Sequence, residues 1–280
     1  MSRDDAPQEL VGLAVEAAQP NGAAVGRVDD VGEKSSFLLG KRVLVGALDP
    51  CGQCDVCRRG GAAVCPAARP RGPVGPRLRA ASRWLVALDD GLELPVPAAA
   101  AVGGDVATAY TLYARAGLQP RDPAVVTGAT AVTRFLVEIL AAKSIAPTVV
   151  ADPDDRAWCD WLLRKGAAVA RDAEAVGAAI VAQGLGARPW RVLATDAASL
   201  PAAAALAGPR ATLAVLATGD VPALPGALLA REVAITGVAG AHPDLIVEAA
   251  AMCAKGEIDL AGGVTTDASD RTRAYVIAIG

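Results

Sequence analysis

The sequence predicts an α/β fold, a doubly wound parallel sheet of about six strands plus a smaller, irregular β-rich lobe. Three observations support this. Between Pro120 and about Gly240, short apolar runs alternate with helical stretches. The first hundred residues hold more Gly and Pro and no long helical pattern. Within them, "CGQCDVCRRGGAAVC" places Cys51, Cys54, Cys57 and Cys65 in one C-x2-C-x2-C-x7-C run.

In chain order, "LVGLAVEA" and "KRVLVGAL" read as short strands of the first lobe. The cysteine run follows. Four thiolates so close together are the ligand set of a closed tetrahedral zinc with no open position. A chain of 280 residues can build a large core without a metal, so one structural zinc would pin this loop and do no chemistry there. Reduced cysteines without metal and two disulfides are the alternatives. The N-terminus "MSRDDAPQEL" lacks an apolar signal core, which points to the reducing cytoplasm and away from disulfides.

"PAVVTG" (123–128) is an apolar run ending in Gly, followed by the helical "AVTRFLVEILAAK" (131–143). "TVVAD" (148–152) precedes an amphipathic helix over 153–166, with Trp158, Trp161, Leu162 and Leu163 expected on one face. "AAVA" (167–170), "RVLAT" (191–195), "ATLAVLA" (211–217) and "EVAITG" (232–237) complete the strands. Continuous apolar strands alternating with helices imply a parallel sheet covered on both faces. After it come one helix, starting at His242 with Pro243 in its first position, and a strand in "TRAYVIAIG" that could return to the first lobe. Cys159 and Cys253 are expected as small buried hydrophobes.

Only 3% of residues are aromatic, and the apolar content rests on Ala and Val. The net charge of −3 offers no field for nucleic acid or an anionic membrane. No apolar run approaches the roughly 20 residues of a spanning helix.

The stretch "GKRVLVGALDPCGQCDVCRRGGAAVCP" resembles the structural-zinc lobe of the medium-chain dehydrogenase/reductase family, the zinc alcohol dehydrogenase relatives. The likeness continues to about Asp259, with both ends short of the family pattern. It implies a β-rich substrate and zinc lobe over 1–100, completed by 241–280, and a Rossmann dinucleotide-binding domain over 101–240. The family's G-x-G-x-x-G turn reads Gly128-Ala129-Thr130-Ala131-Val132-Thr133, so one glycine of three is kept. Asp152 ends the second strand, where an acid accepts from the adenosine ribose and favours NAD(H) over NADP(H); it could equally cap the next helix. The resemblance puts Arg156 near the adenine, and Thr108, Ala217 and Gly237 near the nicotinamide.

The ligands of the family's catalytic zinc have no counterpart. The expected G-H-E turn aligns with "PNGAAVG" (20–26), and Gly104 stands at the third ligand position with Asp105 beside it. Without a Lewis acid, hydride addition to a C=C bond conjugated to a carbonyl is the least demanding reaction, because hydrogen bonds can hold the enolate. This points to an NAD(H)-dependent oxidoreductase acting on an activated alkene such as an enoyl-CoA thioester. Tyr110 and Thr108 are the preferred proton donors, ahead of Tyr113 and Tyr275. Arg69, Arg71, Arg77, Arg79 and Arg83 could grip the coenzyme A phosphates or form a salt-bridged surface. Two alternatives remain open: a non-catalytic binding or assembly subunit, and an alcohol or ketone dehydrogenase using a hydroxyl acid. Family members commonly pair through the last strand of the sheet, which implies a homodimer.

Overall fold

The computed structural model describes residues 9–88, 92–185, 188–216 and 226–279. The chain divides into two compact units, Met1–Thr108 with Ala241–Gly280, and Ala109–Gly240.

The first unit is built on an antiparallel sheet. β1 (Leu10–Ala18) pairs with β2 (Ala24–Asp30), β2 with β3 (Arg42–Val45), and β3 with β5 (Leu85–Leu88), while β4 (Arg77–Ala81) lies on the other side of β1. Val11, Leu13 and Val15 alternate along β1 and are buried with Val28, Val43 and Val45, as expected of a sheet with one covered face. The strand Ile277–Ala278 pairs with the end of β1, Ala17 opposite Ala278, so the C-terminal segment does return to this unit. The helix Ile246–Ala254 packs its buried Ile246, Ala249 and Ala250 inward. A 3-10 turn, Pro243–Leu245, capped by His242 with Pro243 first, precedes it, so the α-helix itself begins at Ile246, later than the sequence suggests.

The second unit is the doubly wound Rossmann sheet. Its strands are β6 (Ala124–Thr127), β7 (Thr148–Val150), β8 (Ala168–Ala170), β9 (Arg191–Ala194), β10 (Thr212–Leu216) and β11 (Ala234–Val238). They are all parallel, in the order β8-β7-β6-β9-β10-β11. Val125, Val126, Val192, Leu193 and Leu213 are 0% exposed, which is why these strands read as unbroken apolar runs. α1 (Ala131–Ala142) and α2 (Arg156–Arg164) follow β6 and β7. On α2, Trp158, Trp161 and Leu162 are buried but Leu163 is 58% exposed, because 100° per residue carries it off the stripe they share. Among the described residues no helix is long and apolar enough to cross a membrane.

Candidate functional site

The four cysteines of the first loop converge. Their Sγ atoms lie within 4.8 Å of one another and could hold a metal ion. The Cys51–Cys65 and Cys54–Cys65 separations are 3.6 and 3.8 Å. These match the ~3.8 Å edge of a tetrahedron of sulfurs ~2.3 Å from zinc, so the residues fit that metal. A one-turn helix, Asp55–Arg58, makes this possible: Cys54 caps it and Cys57 stands one turn on, its N–H donating to Cys54 Sγ at 3.5 Å. The N–H groups of Gln53 and Cys54 hold the Cys51 thiol down to about 6, while burial and the neighbouring Cys65 push Cys57 up to about 12.

Polar bonds tie the loop to its own unit. Trp84 Nε1 donates to Pro50 O at 3.1 Å and Arg83 to Gly52 O at 2.8 Å. Arg71 donates to Asp49 at 2.9 Å and to Gly46 O at 3.1 Å. His242 Nε2 sits 2.6 Å from Gly60 O while its Nδ1 receives the Asp244 N–H, which makes Nε2 the donor. The chain's sole histidine therefore braces the loop. Most of the arginine run is absorbed the same way: Arg77 and Arg79 pair with Asp29 and Asp30, while Arg69 stands exposed in a two-residue strand. It is a salt-bridged surface rather than a free cationic cluster.

In the second unit, β6 and β9 are neighbours from which the strand order runs in opposite directions. Their C-terminal ends mark the switch point where open α/β sheets bind ligands. Gly128 lies there with φ +104°, a conformation side chains avoid. A Cβ on it would stand 2.3 Å from Thr195 Oγ1 and 2.9 Å from Asp196 Oδ2. Thr130 and Thr133, in the places of the missing glycines, form a capping box on α1, each side chain taking the other's N–H at 3.2 Å. Thr133 is fully buried, and its hydroxyl reaches Gly128 O at 2.9 Å and Thr195 Oγ1 at 2.7 Å. That hydroxyl network takes over the close helix–strand contact that glycine would allow. It satisfies two of α1's orphan amides, those of Thr130 and Thr133, and leaves those of Ala131 and Val132 as donors for an anion.

Asp152 follows β7, exposed, with Oδ1 accepting the Asp154 N–H at 2.9 Å. It does not cap α2. Asp155 does, accepting the Trp158 N–H at 3.1 Å, so the helix starts at Arg156 and not at Pro153. Asp152 therefore keeps a carboxylate oxygen for a ribose, and Arg156 is exposed on the first turn of α2. These residues fit a dinucleotide at the ribose end and, through α1, at the phosphate end. Gly237 lies inside β11 opposite Val215, not after the strand as expected, because β11 runs one residue further. Ala217 lies outside the described residues.

Tyr110 and Tyr113 share the helix Ala107–Ala116 with Thr108, their rings 5.7 Å apart. Thr108 and Tyr110 are two residues, about 200°, apart on the helix and face different ways. They cannot serve one reacting atom together. Tyr275 sits in a two-residue strand beside Thr265. Cys253 is 7% exposed as expected, but Cys159 is half-buried, its thiol 3.3 Å from Asp152 O.

The turn "PNGAAVG" (20–26) and Gly104, which align with catalytic-zinc ligand positions, carry no Cys, His, Asp or Glu, yet the fold brings them together. A Cβ on Gly104 would stand 3.1 Å from Ala23 Cβ and 1.9 Å from Gln19 Oε1. The Gln19 side chain fills the space and donates to Asp105 Oδ2 at 2.6 Å.

Residues 12–92 match the alcohol dehydrogenase GroES-like domain. Among solved structures, the chain is similar to a short chain alcohol dehydrogenase from E. coli CFT073 complexed with NADH. The TM-score is 0.79 at 15% identity, over 96% of this chain and 92% of that one. Alcohol dehydrogenase TADH from Thermus sp. ATN1 gives 0.79 at 20% identity, over 94% and 86%. The chain has the medium-chain dehydrogenase/reductase fold. An alcohol dehydrogenase from Aeropyrum pernix extends the likeness to 99% of this chain and 94% of that one, at TM-score 0.76 and 16% identity. No curated protein matches the sequence. The resemblance read from the cysteine loop is thus borne out, and so is the parallel sheet with its β-rich lobe. Within this medium-chain fold, Gln19 packs beside Gly104, and Thr195 and Asp196 beside Gly128, contacts the sequence did not reveal. An Asp at the end of an apolar strand was the available signal for Asp196; Gln19 gave none.

Proposed function

We propose that this protein is an NAD(H)-dependent oxidoreductase without a catalytic zinc, reducing a C=C bond conjugated to a carbonyl, with one structural zinc on Cys51, Cys54, Cys57 and Cys65. The observation that carries it is the pairing of Gly128 at the switch point with an exposed, uncapped Asp152 two residues past β7. Asp152 would hold the adenosine ribose, Arg156 would lie near the adenine, and the first amides of α1 with Thr130 would meet the pyrophosphate. The bound cofactor supplies the hydride. The turn 20–26 and Gly104, without ligand side chains, leave a carbonyl without a Lewis acid, which favours the reaction whose charge spreads into an enolate. Because Arg71, Arg77, Arg79 and Arg83 are engaged with carboxylates and carbonyls, the proposal concerns the conjugated carbonyl and not a coenzyme A handle.

NADH is expected to bind more tightly than NADPH in a fluorescence titration, since Asp152 accepts from a 2′-hydroxyl and repels a 2′-phosphate. Asp152→Ser should narrow the preference by about tenfold, the low end for a charge-assisted bond of ~1.5–3 kcal/mol, because the site is exposed. Equal affinities in the wild type would remove the ribose assignment. Turnover of enones and enoyl thioesters that survives chelation would support the reductase; turnover of alcohols alone would overturn it.

A second reading, a binding subunit without turnover, draws on the Thr130–Thr133–Thr195 network, which closes part of the phosphate approach. Absence of NADH binding would favour it. We also propose pairing of two copies through β11, the free edge of its sheet, where Ile235 is 40% exposed. Light scattering should report a dimer at micromolar concentration, and a monomer would sink the pairing.

A further inference from the structure

The C-terminal end of β9 carries a charge that its local structure does not need. Thr195 closes the strand, 2% exposed, with its hydroxyl donating to Thr127 O at 2.9 Å. That anchor fixes the next residue, Asp196. Its Oδ1 accepts the Ser199 N–H at 2.7 Å and its carbonyl accepts the Ser199 hydroxyl at 3.1 Å, which shapes the turn into the helix Leu200–Leu206. A neutral amide oxygen would accept the same N–H. Oδ2 lies at the phosphate turn, 2.9 Å from where a Cβ on Gly128 would stand. Among the described residues no lysine, arginine or histidine pairs with Asp196, and the side chain is half-buried, where a charge reaches further than in water.

A lone carboxylate beside a phosphate turn weakens the binding of any pyrophosphate, so its presence calls for a compensating gain. The sheet indicates where that gain arises. A dinucleotide lies across the switch point, and the reading above sets its adenosine ribose at Asp152, past β7, and its pyrophosphate at the start of α1. The other nucleoside then falls on the β9 side, which is the side of Asp196. Its nicotinamide ring is neutral when reduced and cationic when oxidised. The carboxylate therefore opposes the pyrophosphate equally in both forms and attracts the ring in one of them.

We propose that Asp196 biases this site toward the oxidised cofactor, so that NAD+ competes with NADH and occupancy follows the ratio of the two. The inference rests on the cofactor reading above and concerns groups of the second unit alone. When hydride leaves the ring for the alkene carbon with both electrons of its bond, the ring becomes cationic and the resulting enolate takes its proton from water. Asp196 gives and takes no proton. It stabilises the charge that forms on the ring. The attraction that favours hydride departure is the one that then retains the oxidised product, which makes inhibition by NAD+ a built-in consequence.

Asp196→Asn keeps the acceptor for Ser199 and removes the charge. Fluorescence titrations of the full-length protein with NADH, using NAD+ and ADP-ribose as competitors, read the effect without any turnover. The variant should bind NADH and ADP-ribose more tightly and by the same factor, because both carry the pyrophosphate and neither carries a cationic ring. NAD+ should gain less or weaken. The ratio of the NADH to the NAD+ dissociation constant should fall about 3- to 10-fold, the scale of one unit charge acting through a partly solvated site. Asp152→Ser removes the same unit of charge at the adenosine end and should leave that ratio within about twofold, which separates attraction of the ring from the net field of the protein. In the wild type, added salt should narrow the preference for NAD+, a measurement that needs no variant. An unchanged ratio in Asp196→Asn, or an equal change in Asp152→Ser, overturns the proposal while NADH binding leaves the reductase standing. The expected shift in a protein inert toward enones would support the bias and sink the reductase. No binding of NADH, NAD+ or ADP-ribose would overturn both.

Discussion

Cys54→Ser is expected to release the bound zinc and unfold the segment 50–70 while leaving the rest of its unit folded. The loop holds few apolar contacts of its own: Ala62 clusters only with Ala81 and Trp84. The core of the unit lies elsewhere, in Val11, Leu13, Val28, Val43 and Val45. Zinc binding is worth ~10–16 kcal/mol in peptides that fold only on the metal, and that range is the ceiling for what the loop can lose. Serine offers no thiolate, and the remaining three ligands leave the tetrahedron open. Elemental analysis should therefore drop from one zinc per chain to none. Amides of 51–65 should exchange quickly with solvent while β1–β5 stay protected, since local units open independently of the global fold. Retention of stoichiometric zinc, or loss of protection across the whole sheet, would contradict this division.

What the sequence made legible was local. The cysteine loop fits within 15 residues, and its one-turn helix sets the ligand spacing without help from the rest of the chain. The Rossmann strands were readable because both faces are buried, which writes each one as an apolar run. Short-range ambiguity did cause errors. Asp152, Asp154 and Asp155 are near-equivalent helix starters in sequence, and hydrogen bonding alone decides that Asp155 caps. The larger misses are long-range. Gln19 meets Asp105 across 86 positions, Thr133 meets Thr195 across 62, and Arg77 finds Asp29 across 48. No periodicity records such pairs. The arginine run left a phosphate grip open beside a salt-bridged surface because its carboxylate partners lie on another strand.

Gly128→Ala should be the most damaging single-methyl change in the Rossmann unit, at about 2–5 kcal/mol. Two costs add. A side chain at positive φ costs roughly 1–2 kcal/mol, and overpacking a tight site typically adds ~1–3 kcal/mol. The second applies because the new methyl would sit 2.3 Å from Thr195 Oγ1. Thr195 cannot step aside cheaply: it is 2% exposed, donates to Thr127 O at 2.9 Å, and contacts Thr133 Oγ1 at 2.7 Å. Gly117 supplies the control, with φ +62° and nothing within 4 Å of its would-be Cβ. Gly117→Ala should therefore lose only the backbone part in urea unfolding. The excess of Gly128→Ala over Gly117→Ala isolates the collision, and Thr195→Ala in the Gly128→Ala background should recover some of it, since neighbouring sites couple. Equal losses for the two alanines would mean that the threonine network yields, and with it the argument that this network fixes the geometry of the phosphate turn.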